Sequence, residues 1–241
     1  MRHHRNVTSA VAIVALLAAC ESGTTDSTTV ATTATSTSST PVPSSTEPSA
    51  STAPVALEQP AVWPAAGVVF ATPEAAATDF VTSALGVPAT LGPFHQGDSR
   101  SGEIEVLLAP EGTGEPILRS LLLLRQLGPD NGWFVLAAVN EYAAIAVPAH
   151  GATVSPGLVQ VEGVARGFEA TVIVEAYLAG TSTLLDQQVV MAGNFDAALP
   201  FTTTLDLVDA PAGATVMLIV RGGVGLETDP GEFSAIAVLI D

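Results

Sequence analysis

The sequence predicts a β-rich fold in two parts: a small α+β domain, one helix on an antiparallel sheet, followed by an immunoglobulin-like β-sandwich. Three observations carry that prediction. Residues 72–86 hold one capped, amphipathic helical stretch; Pro129-Asp130-Asn131-Gly132 joins two apolar runs; and from Ala143 onward apolar and polar residues alternate in short runs punctuated by glycine and proline. A period of two marks a half-buried strand, because successive side chains point to opposite faces of a sheet.

The first sixty residues offer no core. Arg2, His3, His4 and Arg5 make a basic start, and Ala10 to Ala19 make an apolar run of ten residues. A run that short cannot span a hydrocarbon core, which takes about 20 residues. Residues 1–19 therefore read as a secretory signal. The stretch Leu17-Ala18-Ala19-Cys20 resembles a bacterial lipobox, in which the cysteine thiol is alkylated by diacylglycerol and the signal is cut before it. The resemblance implies Cys20 as the lipidation site, Leu17, Ala18 and Ala19 as the processing motif, and an anchor at the outer face of the cytoplasmic membrane. Cys20 is the only cysteine, so no internal disulfide can compete for its thiol. Each buried methylene of an acyl chain contributes about 0.8 kcal/mol, so two or three chains hold a protein firmly.

Residues 20–60 comprise that cysteine and a tether. From Glu21 to Pro54, 20 of 34 positions are serine or threonine, four are proline and none is aromatic. Such a segment cannot bury enough apolar surface to offset its ordering entropy, and as a flexible coil it reaches about 30–35 Å root-mean-square. Stalks of this composition occur both O-glycosylated and unmodified.

Charge narrows the partners. Asp and Glu number 24 against 7 arginines, lysine is absent, and two arginines leave with the signal, so the mature balance is 5 minus 24, or −19. That field repels phosphate backbones, so nucleic acid is not an expected partner.

In the α+β domain, residues 61–142, Thr72-Pro73-Glu74 supplies an N-cap, a proline at the first helical position and a first-turn acid. Ala76, Ala77, Phe80, Val81, Ala84 and Leu85 recur at helical spacing, and Gly86 offers a left-handed stop, which predicts a helix of about 13 residues. Strand-like runs follow at Ala89 to Gln96, Gly102 to Ala109, Ile117 to Leu127 and Trp133 to Val139, the last two as a hairpin.

Residues 143–241 predict about seven strands: Ala144 to Val147, Leu158 to Glu162, Phe168 to Leu178, Thr183 to Met191, Phe201 to Leu207, Ala214 to Arg221 and Phe233 to Ile240. In Phe168 to Leu178 the residues Phe168, Ala170, Val172, Val174, Ala176 and Leu178 are set to point one way, and Glu169, Thr171, Ile173, Glu175 and Tyr177 the other. Seven short strands at this spacing argue for a two-sheet sandwich of immunoglobulin type.

The series Pro148-Ala149-His150-Gly151-Ala152-Thr153-Val154-Ser155-Pro156, then Val161-Glu162-Gly163-Val164-Ala165-Arg166-Gly167-Phe168-Glu169-Ala170, then Phe195 and Phe201, resembles the Gmad2 immunoglobulin-like domain of bacterial spore-germination proteins and actinobacterial lipoproteins. The resemblance implies structural roles: a turn at Ser155-Pro156, close sheet contact at Gly163 and Ala165, core filling by Phe168 and Phe201, and a cap or backbone bond from Glu169. The GerM-type module that often accompanies this domain is not recognised in residues 61–142.

Other side chains bear on chemistry. His95, Asp98 and Arg100 stand close in sequence, but the stretch around them has the composition of a solvated loop. Trp133 reads as a core aromatic rather than a sugar platform. Glu227, Asp229 and Glu232 place three acids in one loop without the alternating register of calcium loops, so a solvated hairpin loop is expected there. His150 reads as a surface histidine between domains. No catalytic residue, metal site or cofactor is expected. The function these features imply is non-catalytic binding or scaffolding by a lipid-anchored envelope protein, with an envelope protein or cell-wall glycan as partner. The alternatives are a cell-wall glycan hydrolase built on a carboxylate pair, and a small-ligand carrier with its pocket in the first domain.

Overall fold

The computed structural model describes residues 57–109 and 112–241. The expected signal, Leu17, Ala18, Ala19, Cys20 and nearly all of the tether lie outside the described residues. Among the described residues, no helix is long and apolar enough to cross a membrane.

The helix forms where its caps predict. Thr72 accepts the Ala75 N–H on Oγ1 at 3.2 Å, Pro73 opens helix α1 (Pro73–Asp79), and the last turn widens into a π-helical turn, Phe80–Ala84. Ala76, Ala77, Phe80 and Val81 are fully buried. Polar anchorage comes from Trp63, whose indole N–H donates to Asp79 Oδ2 at 2.8 Å.

Among the described residues twelve strands follow: β1 (His95–Gln96), β2 (Ser101–Leu108), β3 (Ile117–Leu127), β4 (Gly132–Val139), β5 (Ala143–Val147), β6 (Thr153–Val154), β7 (Leu158–Ala165), β8 (Thr171–Leu178), β9 (Leu184–Met191), β10 (Leu199–Asp206), β11 (Thr215–Gly222) and β12 (Phe233–Ile240). The run Ala89 to Gln96 yields only the two residues of β1 and a single bridge from Leu91 to Val106. Pro93 lacks the N–H that a continuous ladder would need there. The β3–β4 hairpin closes as expected, Leu127 opposite Gly132, with Asn131 left-handed at φ 51° in the turn.

Nine strands form one sheet, with the path β1-β2-β3-β4-β12-β11-β8-β9 and β6 added to β12; β10-β7-β5 form a second sheet. Among the described residues, all strand pairings are antiparallel except β6 with β12. The segments on either side of residue 142 share the large sheet, because β4 meets β12 at Ala138–Ala235. They also share a core: Met217, Ile219, Phe233, Ala235 and Ala237 pack with Phe80, Ile104, Val106, Leu122 and Leu124 beneath the helix. The described residues accordingly belong to one compact unit.

The other face of β8, β11 and β12 packs on the small sheet. Val172, Val174, Val216, Leu218, Val220, Ile236 and Val238 meet Val159, Val161, Phe201 and Leu205 in a second core, which is the sandwich. Gly163 has the role implied for it: a Cβ there would collide with the Ala144 backbone oxygen and the Phe201 ring. Ala165 and Phe201 are buried as implied, and Ser155 Oγ binds the Asp241 carboxylate at 3.1 Å beside the turn at Pro156-Gly157.

Phe168 departs from expectation. Phe168–Ala170 is a 3₁₀ turn, not the start of a strand, with Glu169 at φ 54° and Ala170 at φ 59°. The strand starts at Thr171, and Phe168 is 49% exposed instead of filling the core. Glu169 is exposed, and no hydrogen bond of its side chain is found among the described residues.

Candidate functional site

Helix α1 and the π turn cover only part of the large sheet. Across β11–β8–β9 the register pairs Arg221 with Ile173 and Val189, Ile219 with Glu175 and Gln187, and Met217 with Tyr177 and Leu184. Antiparallel partners share a face, and Met217 and Ile219 belong to the core under the helix. Ile173, Val189 and Leu184 therefore lie on the helix side, but beyond its reach. Val189 is 64% exposed and Met191, opposite Thr171, is 71% exposed. The outer face of the small sheet mixes Gln160, Glu162, Thr202 and Thr204 with the exposed Leu158 and Val164.

Where the helix ends and the bare strip begins, a groove of about 510 Å³ opens. Leu85, Gly86 and Val87 form one wall; Thr171, Ile173 and Arg221 form the floor; Phe168, Glu169 and the loop from Gly222 to Pro230 complete it. Phe168, Val224 and Leu226 all stand partly in solvent.

Local chemistry holds that wall in place. The Phe168 N–H donates to the Gly223 carbonyl at 2.9 Å, the Gly167 N–H to the Gly193 carbonyl at 2.9 Å, and the Ala192 N–H to the Ala170 carbonyl at 3.0 Å. Gly222 is obligatory at this junction, since a Cβ on it would strike the Arg166 backbone oxygen. Two successive non-glycine residues in left-handed conformation cost about 1–3 kcal/mol each and persist only where neighbouring structure fixes them. Their effect is to turn Phe168 and Glu169 out of the sandwich and onto the groove rim.

The floor carries a buried charge pair. Arg221 Nε lies 2.9 Å from Glu175 Oε2, its Nη2 donates to Oε1 at 3.0 Å, and the Tyr177 hydroxyl donates to Oε1 at 3.0 Å. Burial, and after it the Glu175 charge, push the Tyr177 phenol up to about 12.

The acidic loop is not the solvated hairpin loop expected from its composition. Asp229 is buried and takes two bonds from Arg119, Nε to Oδ1 at 2.8 Å and Nη2 to Oδ2 at 2.5 Å. Glu232 takes two from Arg166, each at 2.7 Å. The Arg166 guanidinium lies 3.4 Å from the Tyr142 ring centre and also donates to the Phe195 carbonyl. Of the three acids, only Glu227 stays free, and among the described residues no group of acids, histidines and cysteines is placed to hold a metal. The arginines lie 66 and 110 residues from their partners, so loop composition alone carries no sign of them.

The other singled-out residues fall elsewhere. Asp98 accepts from the Arg100 backbone N–H at 2.7 Å and from Arg125 at 3.2 Å; the first bond above all holds its carboxyl below the usual range. Arg100 donates to the Gln126 carbonyl, while His95 sits exposed on β1. These contacts build a loop and do not converge on one point. Trp133 is a core aromatic, edge-on to Phe94 at 5.3 Å. His150 is more than a surface residue: its Nδ1 accepts the Ala237 N–H at 3.2 Å, and burial lowers its pKa.

Residues 143–221 match the family model of the immunoglobulin-like domain of bacterial spore germination, Gmad2. No curated protein matches the chain. The matched stretch contains Phe168, Glu169, Ile173 and Arg221, whereas Leu85, Val87 and the Val224–Pro230 segment lie outside it. The groove is thus lined partly by the matched stretch and partly by residues before and after it.

Proposed function

We propose that this chain is a non-catalytic binding module of the bacterial envelope, anchored through a lipid on Cys20 to the outer face of the cytoplasmic membrane. The Ser/Thr/Pro-rich tether holds the folded unit off the bilayer, and the groove at the helix end receives a segment of an envelope partner. One observation carries the binding reading. Phe168, Met191 and Val189 stand exposed beside a formed groove whose walls also carry the half-exposed Val224 and Leu226. Contiguous apolar surface next to a cleft is a mark of interaction sites.

Two experiments test the parts separately. Cys20→Ala should move the protein from the membrane fraction into the medium; retention after a high-salt wash sinks the anchor. Phe168→Asp should abolish co-isolation of a partner from mildly cross-linked envelopes while the fold, read by circular dichroism, is unchanged. Undiminished co-isolation sinks the groove.

A further inference from the structure

We propose that the groove's partner is an extended protein segment that alternates apolar side chains with lysine or arginine. This rests on the reading that the groove is a binding site. The lining sets the apolar half of the requirement: Phe168, Val224, Leu226 and Val87 on the walls and Ile173 on the floor offer aliphatic and aromatic contact. An extended chain presents side chains alternately to opposite sides, so one apolar residue in two suffices to fill it.

Charge bookkeeping supplies the basic half. Each of the five arginines among the described residues is committed to a different carboxylate: Arg100 to Glu58, Arg119 to Asp229, Arg125 to Asp98, Arg166 to Glu232 and Arg221 to Glu175. The chain has no lysine. Glu169 and Glu227, which line the groove and are exposed, therefore have no cation of their own among the described residues. Arg221 cannot serve an anionic ligand without losing Glu175, which is 3% exposed and would be left charged in the interior. The groove consequently presents apolar walls and two uncompensated negative charges, on a chain whose field draws cations from a distance.

Binding of three capped ten-residue peptides to the folded protein tests this: alternating Leu-Lys, alternating Leu-Glu and alternating Ser-Lys. Leu-Lys should bind at least tenfold more tightly than either other peptide. Glu169→Gln with Glu227→Gln should weaken Leu-Lys about five- to tenfold, as expected for two partly exposed ion pairs, and flatten its salt dependence. Glu103→Gln with Glu105→Gln, on the face opposite the helix, should leave Leu-Lys affinity within about twofold. An equal loss in both double variants overturns the inference in favour of a general field effect, and so does absence of Leu-Lys binding. If Leu-Glu binds best and Phe168→Ser weakens it, the groove stands as a site and the basic partner is wrong. If Phe168→Ser alters no peptide's affinity, both fall.

Discussion

Arg119 and Asp229, 110 residues apart in sequence, meet in a two-point ion pair that ties strand β3 to the loop between β11 and β12. Their side chains are 13% and 6% exposed, so each charge depends on the other for its solvation. The pair, with Arg166–Glu232 on the same loop, fixes the base of the groove wall that carries Val224 and Leu226.

Removing one partner leaves a buried, uncompensated charge. Arg119→Met should lower unfolding free energy by about 3–5 kcal/mol in urea denaturation, and Arg119→Met with Asp229→Leu should recover at least half of that. A loss under about 1 kcal/mol in the single variant would show that Asp229 is solvated in the native state.

Phe201 and Phe168 should separate sharply. Phe201 fills the sandwich core at 4% exposure, so Phe201→Ala should cost about 3–5 kcal/mol. Phe168 stands half in solvent, and Phe168→Ala should cost no more than about 1 kcal/mol. Equal losses by thermal or urea denaturation would return Phe168 to the core.

This contrast shows what the sequence made legible. Helix α1 and the β3–β4 hairpin were readable because their signals are local: Thr72-Pro73-Glu74 for the cap, Asn131-Gly132 for the turn. Phe168 is not legible because period two runs unbroken from Phe168 to Leu178, while the backbone turn at Glu169 is imposed by bonds from Gly167 and Phe168 to Gly193 and Gly223, just beyond the ends of β9 and β11. The joined sheet was equally hidden, since Ala138 pairs with Ala235 at a single point. Two acids of the Glu227–Glu232 loop looked solvated because the arginines that bury them enter from β3 and the end of β7.

Tyr177 should titrate abnormally. Phenolate absorbance of the folded protein should rise only near pH 12 for Tyr177, and Tyr142 is also raised, chiefly through Glu141. Because the neutral phenol is favoured in the fold, Tyr177 contributes stability below the unfolded value of 10 that is lost as pH climbs through the folded one. Glu175→Gln should bring it down only part of the way, since burial is the larger cause. A return to 10 would assign the whole shift to the carboxylate.

His150 gives the opposite dependence on the acid side. Burial favours its neutral form, whose Nδ1 accepts from Ala237, so its folded pKa lies below the ordinary histidine value of about 6.5. Between the two values the unfolded chain binds more protons, so stability should decline as pH falls below about 6.5. His150→Gln should remove that slope, while the acid loss from Glu58 and Asp98, whose carboxyls are also lowered, remains below about pH 4. An unchanged slope between pH 6.5 and 5 in the variant would show that His150 is not its source.

Site-directed photo-crosslinking in the native envelope tests the binding account most directly, with the reactive residue placed at Leu226 on the groove wall or at Thr204 on the outer face of the small sheet. The account predicts adducts from position 226 that map to one segment of one partner and vanish in Phe168→Asp, with none from position 204. Equal adducts from both positions, or adducts from 204 alone, would contradict it.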